Sequence, residues 1–412
     1  MYGAAFALLI SFVALRILWP KPHLAQLADR RGMALPSSLA AFLAIAARVA
    51  GLLAFAVVLY AAVAGTADSG SNIAPYALYI GFWVGVQVVC ALVLDVYALA
   101  NPFDTLAFLC GVPERTARVA RRDPGQWPAA FLLGSFVWLE LAYHAPSSPR
   151  AIGVWLSVYT AAVLAGAAVW GREWLRHGEG FAALFGFLGH FAPIGIEAET
   201  RRLRLRPPLA GLADMQVRPG TAATIFVALG STSFDGFSRT NTWRDVIGQR
   251  TGWSATFVTT VGLLGAVALV ALVYFAATRV AARITGETDD TVAAAFLPSL
   301  VPIVFAYAVA HYFSLLVLDG QNLFALVSDP FGKGWDLFGT IDRTVDYRLV
   351  SVTTIANVQA AAIVIGHVCG VVFAHDRAVE RYKPRLAVRS QYPMLVVMIA
   401  YTVGGLAILL GG

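Results

Sequence analysis

Residues 254–278 read SATFVTTVGLLGAVALVALVYFAAT, a run without a charged side chain or a proline. About 20 apolar residues wound as an α-helix cover roughly 30 Å, the thickness of bilayer hydrocarbon. In that solvent the backbone must satisfy its own hydrogen bonds, which leaves helices or a closed barrel. The run is continuous rather than alternating, so it reads as a helix and excludes a barrel strand. Comparable runs recur from end to end. Ten spans are read, at about 3–19, 39–64, 74–99, 127–145, 151–171, 219–237, 254–278, 292–317, 350–374 and 393–411. The expected fold is all-α, a polytopic transmembrane helical bundle, with residues 1–412 forming a single integral membrane domain.

Composition agrees, since only 13% of residues are charged where a soluble domain carries about 25%. The net charge of +6 does not indicate nucleic acid, because it sits in short connections between apolar runs. Counting Arg16 near the end of span 1, the connections after spans 1, 3, 5, 7 and 9 hold 22 Lys/Arg and those after spans 2, 4, 6 and 8 hold 7. Basic residues favour the cytoplasmic side, so both chain ends are expected outside and the membrane is expected to be the plasma (inner) membrane. The sixth span is short and closes with Gly-Ser-Thr-Ser-Phe-Asp-Gly (230–236), which also suits a re-entrant half-helix buried in protein. Residues 179–195 look interfacial, and the basic stretch 201–208 is expected on anionic headgroups. Residues 1–19 lack the small-residue cleavage site of a signal peptide. Cys90, Cys110 and Cys369 show no metal spacing.

Polar residues inside apolar spans are costly and therefore informative. One group gathers toward the outer ends of the spans. It comprises Glu140 and His144, which share a helix face; Ser231, Thr232, Ser233 and Asp235 at the end of span 6; and His311, Ser314, Asp319 and Gln321 at the end of span 8. The Gly- and aromatic-rich loop 328–340 follows and is expected to cover a cavity. Histidines and carboxylates facing one compartment suit a divalent metal such as zinc, copper or manganese, although no HExxH spacing is present. An inner group holds Asp95, Asn101, Asp104, Gln359, His367, His375, Asp376 and Arg377. A structural hydrogen-bond network is the default reading there. Haem ligation by His311 and His367 is a weaker one, since the two lie at different depths. P-loop, GxSxG and dinucleotide motifs are absent from the sequence.

Several strings together carry a resemblance: Trp138-Leu139-Glu140, Ser231-Thr232-Ser233-Phe234-Asp235-Gly236, Ala310-His311-Tyr312-Phe313-Ser314, Ser328-Asp329-Pro330-Phe331-Gly332, Gly366-His367-Val368 and Ala374-His375-Asp376-Arg377. In this order, with Asn101-Pro102 and Ser390-Gln391-Tyr392, the chain resembles a family of multi-pass bacterial proteins named fenitrothion hydrolases. The resemblance implies hydrolysis of an organophosphorus triester at phosphorus and assigns no catalytic residue. Members of that family carry an exported, histidine-containing segment before the first span, whereas Met1 here begins within it, so an upstream segment is expected.

Three functions follow as expectations. The first is a membrane hydrolase acting on a small-molecule substrate, with His311, His144 and Asp319 as metal ligands and Glu140 and Asp235 as catalytic carboxylates. The second is a transporter or permease, for which a broken span 6 would provide the site. The third is a metal- or haem-bearing subunit serving an exported partner protein. Asp95, Gln359 and His367 are the remaining polar intramembrane candidates.

Overall fold

A computed structural model describes residues 2–28, 36–116, 123–196 and 203–411. The chain opens with α1 (Tyr2–Leu18), a short α2 (Leu24–Ala28) and the long α3 (Ser37–Ala64). The next crossing is α4 (Ile73–Tyr76), a π-helical segment (Ala77–Val86) and α5 (Gln87–Leu92), joined end to end. Then come α6 (Val96–Ala100), α7 (Pro102–Leu109), α8 (Trp127–Leu141) and α9 (Pro149–Trp170). After α10 (Leu175–Gly178) and α11 (Gly180–Phe191), β1 (Ile194–Ile196) pairs antiparallel with β2 (Leu203–Leu205). The second half comprises α12 (Thr221–Ser238), α13 (Asn241–Ile247), α14 (Gly252–Thr285), α15 (Asp289–Phe296) and α16 (Val301–Val317). It closes with α17 (Asn322–Leu326), α18 (Val352–Arg381) and α19 (Pro384–Gly411).

Seven helical stretches are long and apolar enough to cross a membrane: Ser37–Ala64, Ile73–Leu92, Pro149–Trp170, Gly252–Thr285, Asp289–Val317, Val352–Arg381 and Pro384–Ile408. Their outer faces stay apolar. Phe42, Ile45 and Leu53 on α3 and Phe257, Leu264 and Leu272 on α14 are all more than half exposed. An exposed apolar surface of that extent calls for hydrocarbon rather than water. The chain is thus a helical bundle of membrane type, with α1, α8 and α11 as shorter apolar members.

Connections at the two ends of the bundle meet in two sets. At what we term the upper end, Thr66 N–H donates to the Phe331 carbonyl and Ile73 N–H to Pro330. There the Arg150 guanidinium also reaches the carbonyls of Ala62 and Gly65, and His144 meets Thr256. At the lower end, Asp123 pairs with Arg218, Arg172 with Asp104, and Glu287 with Arg381. Asp376 there accepts from Trp19 Nε1 and the His23 N–H, both at 2.7 Å.

Several expectations are corrected. Span 6 stands as read, and its re-entrant alternative does not, since α12 runs unbroken through 230–236. Its hydroxyls bond back into its own helix, Thr232 to Ala228 and Ser233 to Leu229, so the polar cluster costs no helix. Span 3 is interrupted instead, between Leu92 and Val96, where the Asp95 carboxylate accepts from Ala98 N–H and caps α6. Residues 179–195 are not interfacial. Phe181, Leu184, Phe185 and Leu188 on α11 are buried inside the bundle, and the buried Glu179 caps α11 by accepting from Phe181 and Ala182 N–H. In the basic stretch, Arg206 turns inward to the Gly189 and Ala192 carbonyls at the end of α11, while Arg201 and Arg202 lie outside the described residues. The loop expected at 375–392 is mostly helix, because α18 continues to Arg381 and α19 starts at Pro384. His375 and Asp376 hold those extensions through Gln391 and the α1–α2 connection.

Close helix packing depends on small residues. At Gly366 an added Cβ would lie 2.2 Å from the Ala306 side chain and 2.8 Å from the Pro302 carbonyl. Gly366→Leu is expected to destabilise the bundle by about 1–3 kcal/mol, read as a lower melting temperature in detergent. Gly134→Leu, where nothing lies within 4 Å, should leave it unchanged.

Candidate functional site

A cavity of about 900 Å³ lies between α12, α14, α16, α18 and α19. Five glycines, Gly236, Gly262, Gly265, Gly404 and Gly405, contribute to its wall, and at Gly265 and Gly404 an added Cβ would meet nothing within 4 Å. Most of the wall is apolar, supplied by residues such as Val270, Ile303, Val397 and Met398. A few polar groups converge on it, which is the usual make-up of a small-molecule site.

His311 of α16 is the central one. Its Nδ1 lies 3.4 Å from Asp235 Oδ2, with both side chains nearly buried. Gly236 makes room for the ring, for a Cβ there would stand 3.0 Å from His311 Nε2. Asp235 sits behind the wall. One turn on, Arg239 extends from the end of α12 and places Nη2 3.1 Å from Asp235 Oδ2. Arg239 is itself a wall residue. An imidazole thus faces the cavity with a carboxylate on one nitrogen and a guanidinium close by. At 3.4 Å the contact is longer than a hydrogen bond, as acid–base pairs often are before a substrate binds.

His367 of α18 is the second imidazole in the wall. Its Nδ1 is 2.8 Å from the Ile363 carbonyl, which only accepts, so Nδ1 carries the proton. Its Nε2 is buried without a partner. The rings of Tyr307 and Tyr401 flank it at 5.9 and 6.1 Å. Gln359 also lines the cavity.

The other candidates are not brought to this cavity. Glu140 accepts from Tyr312 Oη at 3.1 Å, and its second oxygen is buried without a partner. Tyr312 lies on the face of α16 that meets Glu140 of α8. His144 is held by Thr256, 3.2 Å from its Nδ1, and by the rings of Tyr143 and Trp253. Asp319 begins a single 3₁₀ turn after α16, and Asp95 is a helix cap. Of the inner polar group, Asn101 caps α7 and Asp104 pairs with Arg48, whereas Gln359 and His367 line the cavity. Among the described residues no three His, Cys, Asp or Glu side chains are grouped to hold a metal ion. Arg239, Tyr307 and Tyr401 were not singled out from sequence. Only the four-residue step from Asp235 to Arg239 is a legible signal, because such a step places two side chains on one helix face.

The loop 328–340 is expected to roof a cavity, but it contributes nothing to this wall. It packs against the end of α3, where Gly332 fits closely beside Thr66 and Phe331 meets Tyr60. The fold and site together define a membrane-type helical bundle enclosing a carboxylate–imidazole cavity. Comparison with protein-family models, curated proteins and solved structures returned no match.

Asp329 organises this loop. Burial alone would raise its pKa, but the N–H groups of Lys333 at 2.8 Å and Gly334 at 2.6 Å hold it below the usual carboxylate value. A depressed folded pKa stabilises above the unfolded value and is lost as pH falls through the folded one. Amide exchange across 328–340 is therefore expected to rise below about pH 4 and to be raised at neutral pH in Asp329→Ala.

Proposed function

We propose that this protein is a membrane hydrolase that cleaves a lipophilic ester at the upper end of its cavity. The observation that carries this reading is the contact between Asp235 and His311 in the cavity wall, with Arg239 alongside. Asp235 orients the imidazole so that Nε2 serves as general base. Water loses its proton to Nε2 as its oxygen attacks, and the alcohol or aryl oxide departs with the electrons of the broken bond. The proton then passes from His311 to the departing oxygen. Arg239 offsets the negative charge that develops. The resemblance to fenitrothion hydrolases points to a phosphorus triester, whose aryl oxide is a good leaving group.

A zinc, copper or manganese ion does not fit well as an obligatory cofactor, because His311 and Asp235 supply two ligands and, among the described residues, no third His, Cys, Asp or Glu joins them. A haem shared by His311 and His367 fits less well. Gly366 packs beside Ala306, which sets His367 about 7 Å from His311 along α16 at 1.5 Å per residue. The uninterrupted α12 removes the broken-helix argument for a transporter.

For topology, we infer ten crossings, with α1, α8 and α12 completing the seven long ones, the upper end outside and the lower end in the cytoplasm of the plasma (inner) membrane. Two things support this: the charge bias of the connections, and contacts that join connections of the same expected side. Labelling by an impermeant maleimide in spheroplasts of a cysteine-free background is expected at Ser69→Cys, and at Arg385→Cys only after permeabilisation.

His311→Ala and Asp235→Asn are expected to lower kcat/KM for an aryl phosphotriester by about 100-fold or more at unchanged melting temperature. Full activity in folded His311→Ala ends this reading, and accumulation of uncleaved substrate in sealed vesicles replaces it with transport. Mass-spectrometric metal analysis of wild type and His311→Ala is expected to find no stoichiometric ion; one lost in the mutant restores the metal-assisted route.

A further inference from the structure

His367 is fully buried, and its Nε2 is a lone-pair acceptor with nothing to accept from. Most buried acceptors in folded proteins are satisfied, so such an atom calls for an explanation. The adjacent tyrosines do not supply one. Tyr307 Oη donates to the Tyr401 carbonyl at 3.1 Å, and Tyr401 Oη is engaged with Ser233. His367 is a wall residue of the cavity, so a partner for Nε2 comes from that side once the ring turns toward it.

The cavity also reaches the side of the bundle. Leu269 on α14 and Val396 on α19 line it, yet they are 59% and 66% exposed on the exterior. Between them, Gly265 and Gly404 are wall residues at which an added Cβ would meet nothing within 4 Å. Few residues of the apolar α14 are fully buried, and Phe257, Leu264, Leu269 and Leu272 are all more than half exposed. A molecule entering here comes from hydrocarbon, so it is uncharged and lipophilic.

We propose that the cavity takes, sideways from the bilayer between α14 and α19, a lipophilic molecule carrying an O–H or N–H donor that binds His367 Nε2. This rests on the reading of the cavity as the functional site and adds the substrate class: an elongated molecule whose donor lies about 7 Å below the group presented to His311. The selecting feature is the acceptor, since a donor left unpaired in a dry site is rejected while one that finds Nε2 is retained.

The test is equilibrium binding of tritiated 4-octylphenol and octylbenzene to the full chain in nanodiscs. Wild type is expected to bind the phenol about tenfold more tightly than the hydrocarbon. His367→Phe, which keeps a ring but removes the acceptor, should erase that preference at unchanged melting temperature. Gly404→Leu, with His367 intact, should weaken both ligands. Equal binding of the two by wild type, or a preference that survives His367→Phe, overturns the proposal in favour of a plain hydrocarbon groove. Wild-type affinities in Gly404→Leu overturn the lateral route. Because the readout is binding, a preference retained while His311→Ala keeps full hydrolysis refutes only the hydrolase reading. A preference absent while His311→Ala abolishes hydrolysis refutes only this one.

Discussion

Hydrocarbon offers no hydrogen bonds, and that constraint organises this bundle more than any single contact. Polar groups within it are partnered by the protein itself. Thr224, Thr232, Thr278 and Thr402 bond back to carbonyls one turn earlier in their own helices. Glu179 spends both oxygens on the start of the buried α11. Asp376 gathers the connection between α1 and α2 and ties the first helix to α18. Against that background eight buried side-chain atoms among the described residues lack a hydrogen-bond partner, and two of them flank α16: Glu140 Oε2, toward α8, and His367 Nε2, beside the cavity.

The cavity is a consequence of the same packing that makes the bundle. Small residues let α16 and α18 approach closely at Gly366 and Gly370, where other side chains or carbonyls fill the gap. At Gly265 of α14 and Gly404 of α19 the glycines face open space instead, whereas Gly262 and Gly405 are filled by Trp243 and Tyr307. The imidazoles line this space from α16 and α18, the pair of helices most closely packed at those glycines, so their positions are held by rigid elements rather than loops. The glycine-rich loop beyond α17 serves a different end, fixing the upper connection between α3 and α4 through Asp329 and Gly332.

Much of the architecture was legible in the apolar runs. Residues 254–278 alone indicated a helix of membrane length, and the starts of α3, α9 and α14 fall within a few residues of the expected ones. Helix ends were less legible. Span 3 ends early because Asp95 caps a new helix, and span 9 runs long because Asp376 and His375 have partners near α1 and on α19. Those partners lie hundreds of residues away for α1, and no local pattern announces them. The serine- and threonine-rich close of α12 left a re-entrant half-helix open as an alternative for a related reason. Hydroxyls that break a helix in one setting return to its carbonyls in another.

The site divides along the same line. Sequence alone determined which residues are chemically able, because a histidine or carboxylate in an apolar span is conspicuous wherever it falls. His311, Asp235, His367 and Gln359 were visible in that way. Only the tertiary structure decided which of them meet. It sets Asp235 against His311 across α12 and α16, turns Glu140 toward Tyr312 and away from the cavity, and leaves His144 on Thr256. The physical reason is that periodicity specifies the face of one helix, whereas a site is made where the faces of several helices converge, and that convergence is set by packing between segments distant in the chain.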